Sequence, residues 1–153
     1  MIVFILLAAL SGCKLSEKKW LFVVHSRSSE ITAKTLVMRD IDEYAIAFTE
    51  RPVREKSALP VIQLINEWPI LFSTSSPNAT IAFYDRNKKY HEVIVVLNDP
   101  VLVGDELHIQ ITPLFTNEIV INQQLDETML FIDDVIIKLD NKLESYLERN
   151  KTH

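Results

Sequence analysis

Glycine is almost missing from this chain: two occur in 153 residues, Gly12 and Gly104. Phosphate cradles of the dinucleotide-binding or P-loop type need several glycines in one short loop, because only a backbone without Cβ closes round an anion. Both are excluded, and so is a Gly-x-Ser-x-Gly nucleophile elbow. Cysteine occurs once, at Cys13, which rules out an internal disulfide and a cysteine metal cluster. No apolar run reaches the roughly 20 residues that a spanning helix needs. Positive charge is also in deficit. Sixteen Lys and Arg against 21 Asp and Glu leave a net charge of −5. No Lys/Arg cluster occurs along the sequence, which argues against nucleic acid and anionic lipid headgroups as partners. There is no internal repeat and no low-complexity segment.

What is present begins with an almost unbroken apolar run from Ile2 to Leu10, closed by Leu10-Ser11-Gly12-Cys13. Small residues at Ser11 and Gly12 let a peptidase reach the backbone, and the thiol of Cys13 can accept a lipid. This arrangement resembles the lipobox of bacterial lipoprotein precursors. The resemblance implies a signal peptide over 1–12, to be set aside from fold reasoning. It further implies a lipidated Cys13 with a polar tether over 13–19 and one domain over 20–153. No Lys or Arg precedes the apolar run, so its leading charge is the terminal amine alone. Lys14 stands where an Asp would signal inner-membrane retention, so the resemblance favours the outer membrane of a diderm envelope, facing the periplasm. Two or three acyl chains anchor stably, at about 0.8 kcal/mol per buried CH₂, whereas one is marginal. The competing readings are an ordinary secretory signal and a buried strand.

Beyond the tether, strands are expected at Trp20–His25, Thr35–Arg39 and Tyr44–Thr49, the last alternating Tyr44, Ile46 and Phe48 with Ala45, Ala47 and Thr49. From Ser57 to Trp68 the period changes. Val61, Ile62, Leu64, Ile65 and Trp68 recur at helical steps, with Ser57 as N-cap, Pro60 in the first turn and Pro69 as terminator. A hairpin is expected between Ala79–Tyr84 and Tyr90–Leu97, then a break at Asn98-Asp99-Pro100 and a turn at Gly104-Asp105. Leu107, Ile109 and Ile111 mark a half-buried strand, and Glu118–Asn122 and Thr128–Ile132 weaker ones. Asp133 or Asp134 is expected to cap a final amphipathic helix carrying Ile136, Leu139, Leu143 and Leu147. About eight short strands without βαβ alternation point to a mostly β domain, antiparallel and sandwich-like or α+β.

The most unusual local cluster is Glu50-Arg51-Pro52-Val53-Arg54-Glu55. Two guanidinium groups flanking a proline could grip a carboxylate or phosphate. The bland alternative pairs them with Glu50 and Glu55 as surface bridges. The segments Phe48-Thr49-Glu50-Arg51-Pro52-Val53-Arg54, Trp68, Ser76-Pro77-Asn78-Ala79 and Leu130-Phe131-Ile132-Asp133 resemble a family of uncharacterised secreted or lipid-anchored microbial proteins. Glu50 and Ser76 depart from the family's Asp and Pro, and the resemblance implies no activity.

Arg51, Arg54, Trp68 and Asn78 are therefore the candidate ligand-binding residues, for an anion or a peptidoglycan fragment. A metal site would have to converge His91, Glu92 and Asp99, and strand parity sends His91 and His108 to opposite faces instead. No catalytic residue, metal or cofactor is assigned. The leading expectation is a lipid-anchored envelope protein that binds a small ligand or another envelope protein, with the membrane held through Cys13. The rival is a secreted hydrolase or metal-dependent enzyme using His91, His108 and carboxylates. The C-terminal helix either packs on its own sheet or docks a partner.

Overall fold

The computed structural model describes residues 18–51, 54–115, 123–136 and 142–151. The expected signal, Cys13 and most of the tether lie outside them, as does the expected strand over Glu118–Asn122. Among the described residues, alternation of apolar and polar side chains produces eight strands: β1 (Lys19–Ile31), β2 (Thr35–Ile41), β3 (Tyr44–Thr49), β4 (Lys56–Pro60), β5 (Asn78–Tyr84), β6 (Tyr90–Val103), β7 (Glu106–Pro113) and β8 (Gln123–Ile136). Helix α1 (Val61–Leu71) follows β4, and α2 (Lys142–Arg149) follows β8.

All strand pairs are antiparallel, in the order β2-β7-β6-β5-β8-β1-β3-β4, and β1 also pairs with β2. That extra pairing joins the ends of a six-stranded ring, β1-β2-β7-β6-β5-β8, from which β3 and β4 extend. Strand β1 makes this possible by dividing one edge between two neighbours. Trp20–Val23 pair with β3, and Ser26–Ile31 pair with β2. At the changeover its inward positions shift by one, since Ser26 and Ser29 are both buried. On the opposite strand Leu125 and Thr128 are likewise both buried, although the β1–β8 register is the same at Ser26–Thr128 and Ser28–Asp126, and Glu127 between them has φ 43°. A bend of this kind is how a sheet turns a tight corner.

The ring encloses Phe22, Val24, Leu36, Met38, Ile81, Phe83, Val95, Leu97, Leu107, Leu130 and Ile132, all at most 1% exposed. Each such side chain contributes about 1.5–3 kcal/mol by leaving water. On β3 the alanines Ala45 and Ala47 face inward, while Tyr44, Ile46 and Phe48 stay 36–46% exposed. The edge strand β4 is short, starts at Lys56 and ends at Pro60, all of which discourage pairing with another chain.

Four expected boundaries move. Ser57–Pro60 is strand, paired with Tyr44–Ala47, so Ser57 is not an N-cap; the helix starts at Val61, whose N–H donates to the Glu43 carbonyl. Pro69 sits inside the last turn instead of ending it, and Phe72 N–H closes that turn on the Trp68 carbonyl at 3.0 Å. Asn98-Asp99-Pro100 does not break the strand: β6 runs on to Val103 with a register shift between Asn98 and Val101. Asp133 and Asp134 cap no helix, because β8 continues through Ile136 under pairing to β1. In α2, Leu143 and Leu147 are fully buried against the body of the protein, which answers the docking alternative for that face.

Candidate functional site

The shift in β6 builds a recess. Asn98, Asp99, Pro100 and Val101 bulge from the strand toward the C-terminal half of α1, which presents Ile65, Trp68 and Pro69, with Phe72 just beyond it. Together with Ser76 they line an open cleft of about 370 Å³. Helical spacing puts Ile65 and Trp68 on neighbouring faces of α1, and the aromatic rings of Trp68 and Phe72 lie 4.4 Å apart at a 52° tilt. Opposite them, Ser76 Oγ donates to Asn98 Oδ1 at 2.6 Å, and Leu97 N–H donates to the Pro77 carbonyl. Asp99 has φ 45°, an uncommon conformation that Asp tolerates better than most residues. Strained backbone beside a recess is a frequent mark of binding sites. The cleft has an aromatic floor, an amide and hydroxyl edge, and one charge, the Asp99 carboxylate. Its size falls in the usual range of small-ligand sites, about 300–1,000 Å³.

Of the four candidate binding residues, Trp68 alone lines this cleft. Asn78 is exposed at the start of β5, opposite Val96. Arg51 and Arg54 stand in the β3–β4 connection, where Thr49 Oγ1 accepts from Glu55 N–H at 2.7 Å and Arg54 adopts φ 53°. Their expected pairing with Glu55 is not what forms. Glu55, 12% exposed, is held by Lys18 Nζ at 3.2 Å and Lys151 Nζ at 3.0 Å, and both lysines also reach Glu148. The Glu148 hydrogen bond, opposed by burial and joined by Glu55, holds the Lys18 ammonium well above its ordinary range. Lys151 and then Lys18 hold Glu148 below the usual carboxylate range. Among the described residues, Arg51 and Arg54 have no ion-pair partner.

The histidines form three separate arrangements. His91 Nε2 meets Asp85 Oδ2 at 3.0 Å and stacks on Phe83. Asp85 also accepts N–H bonds from Asn87 and Lys89, so these bonds, with His91, keep its carboxyl below its usual value. His108 meets Glu106 at 3.1 Å on β7. His25, on the outside of β1, sits between Asp42 (3.0 Å from Nδ1) and Glu127 (2.9 Å from Nε2). Among the described residues no serine hydroxyl bonds to a histidine, and no group of three or more His, Cys, Asp or Glu is arranged to hold a metal ion.

Sequence reasoning missed Phe72, Pro69, Val101 and the part played by Asn98 and Asp99. The available signal was the polar Asn-Asp-Pro step between two apolar stretches, which marks a bulge as readily as a break. No family model, no curated protein and no solved structure matches the chain.

Proposed function

We propose that the protein is a lipid-anchored component of the bacterial cell envelope, attached through Cys13, whose domain binds a small ligand in the cleft between α1 and β6. The observation that carries the binding reading is the cleft itself: Trp68 and Phe72 on one wall, Asn98, Asp99 and Ser76 on the other. Such a surface suits a ring with a flat apolar face and a hydroxyl or amide edge, neutral or cationic because Asp99 supplies the only charge among the described lining residues. Saccharide units of the cell wall have that chemistry. The anchor reading is supported by the Leu10-Ser11-Gly12-Cys13 sequence. Among the described residues no helix is long and apolar enough to cross a membrane.

The ligand reading is tested by titrating N-acetylglucosamine oligomers into the isotope-labelled protein. Amide shifts should concentrate on Trp68, Phe72, Asn98, Asp99 and Val101. They should vanish in Val101→Glu, a change at a 53% exposed position that leaves the core intact. Shifts mapping elsewhere overturn it. For the anchor, Cys13→Ser should abolish the acyl mass and release the protein from the membrane fraction. A hydrolase or metal-dependent enzyme is the weaker reading, because His91 and His108 lie in unconnected pairs with Asp85 and Glu106. Anion binding through Arg51 and Arg54 keeps one specific support, their lack of an ion-pair partner among the described residues, and leads to a separate surface.

A further inference from the structure

The fold gathers cations that the sequence scatters. Residues 18–19, the described part of 50–56 and residues 148–151 meet at one end: Glu50 N–H donates to the Lys19 carbonyl, Lys18 and Lys151 grip Glu55, and Lys18 bridges to Glu148. These three segments hold seven Lys and Arg but only three Glu, in a chain whose net charge is −5. The carboxylates Glu55 and Glu148 are consumed internally by Lys18 and Lys151. Arg51, Arg54, Lys56 and Arg149 are left exposed and, among the described residues, without a carboxylate partner. The sequence shows no such cluster because these residues are distant along the chain and become neighbours only in the fold.

We infer that this end is a docking surface for anionic phospholipid headgroups, pressed against the bilayer that holds the lipidated cysteine. The inference rests on the anchoring reading for its orientation. Lys18 belongs to the patch and lies five residues after Cys13, a span of at most about 18 Å. The patch is therefore the part of the domain kept nearest the membrane, where screening within a Debye length of about 8 Å still leaves attraction. A bilayer fits better than a soluble polyanion because Phe48, 36% exposed, pairs with Lys56 in the β3–β4 ladder and adds an apolar group among the cations.

The test uses the full chain as Cys13→Ser, so that no acyl chain contributes, with vesicles of phosphatidylcholine alone or rich in phosphatidylglycerol. Any contribution from the apolar leader is common to both, and the difference reads the patch. Binding should be tighter to phosphatidylglycerol and should fall with added salt. At low salt each cation near such a surface contributes roughly fivefold, so Arg51→Ala with Arg54→Ala should lose about 25-fold in affinity. Lys34→Ala, in the β1–β2 turn at the other end of β1, should lose none. Lys56→Ala with Arg149→Ala asks the same question if the first pair unfolds by circular dichroism. Equal binding to both vesicles, a lipid preference that survives both double variants, or preference for an oligonucleotide over the vesicles would overturn the inference. Failure of the anchor is read separately, as absence of an acyl mass on the wild-type chain.

Discussion

Thr128 is fully buried where β1 and β8 bend together, and its hydroxyl meets no hydrogen-bond partner among the described residues. Its neighbours Ser26 and Ser29 satisfy each other at 2.7 Å. A buried hydroxyl without a partner costs about 1–3 kcal/mol. Thr128→Val keeps the shape and removes that cost, so urea denaturation should show a gain of about 1 kcal/mol. A loss of stability would mean that the hydroxyl has a structural task. His25 is governed by charge instead. Burial opposes its imidazolium, but Glu127 and Asp42 outweigh that and raise its pKa above the ordinary 6.5. A histidine with a raised folded pKa stabilises fully below the unfolded value and loses that contribution as pH rises through the folded value. The melting temperature should therefore fall from pH 6 to pH 8.5 by more in the wild type than in His25→Gln. Identical pH profiles would show that the two carboxylates do not stabilise the charged ring.

At the scale of elements, α2 carries the sharpest question. Leu143 and Leu147 are both fully buried, among the core that includes Leu59 and Leu64. Leu147→Ala should cost about 2–5 kcal/mol in chemical denaturation. A cost below 1 kcal/mol would return the helix to the pool of partner-docking surfaces. The apolar spacing of these two leucines was legible in the sequence, as were β3, the β5–β6 hairpin around Asp85–Lys88 and the Gly104-Asp105 turn, where Gly104 takes the positive φ of 63° that such hairpins need. What local pattern could not give was competition from pairing partners. Ser57–Pro60 has the capping serine and first-turn proline of a helix start but is claimed by the edge of β3, and Asp133–Asp134 has capping chemistry but is claimed by β1. The cleft was legible only in Trp68, because Asn98–Val101 faces it through a register shift fixed by β7. The basic end was illegible for the same reason, its residues being brought together from positions more than 90 apart.

At the scale of the whole molecule, ring closure depends on β1 and β8, the first and last strands, whose pairing spans Lys19–Ile136 to Ile31–Gln123. Contacts so distant in sequence pay their loop entropy before returning any burial, so refolding should fall in the millisecond-to-second range of β-rich domains. The helices and the β3–β4 extension share one continuous core with the ring, in which Trp20 of β1 is 1% exposed and Trp68 of α1 is 8% exposed. These two are the only tryptophans, one in each part. If the core is a single cooperative unit, Trp20→Phe and Trp68→Phe leave reporters that must agree. Fluorescence of each variant should trace a transition coincident with its own circular dichroism, with one midpoint per variant. A Trp68 signal that moves at lower denaturant than the strand signal would show the helical layer parting from the ring first. The cleft between α1 and β6 would then be the seam along which the protein opens.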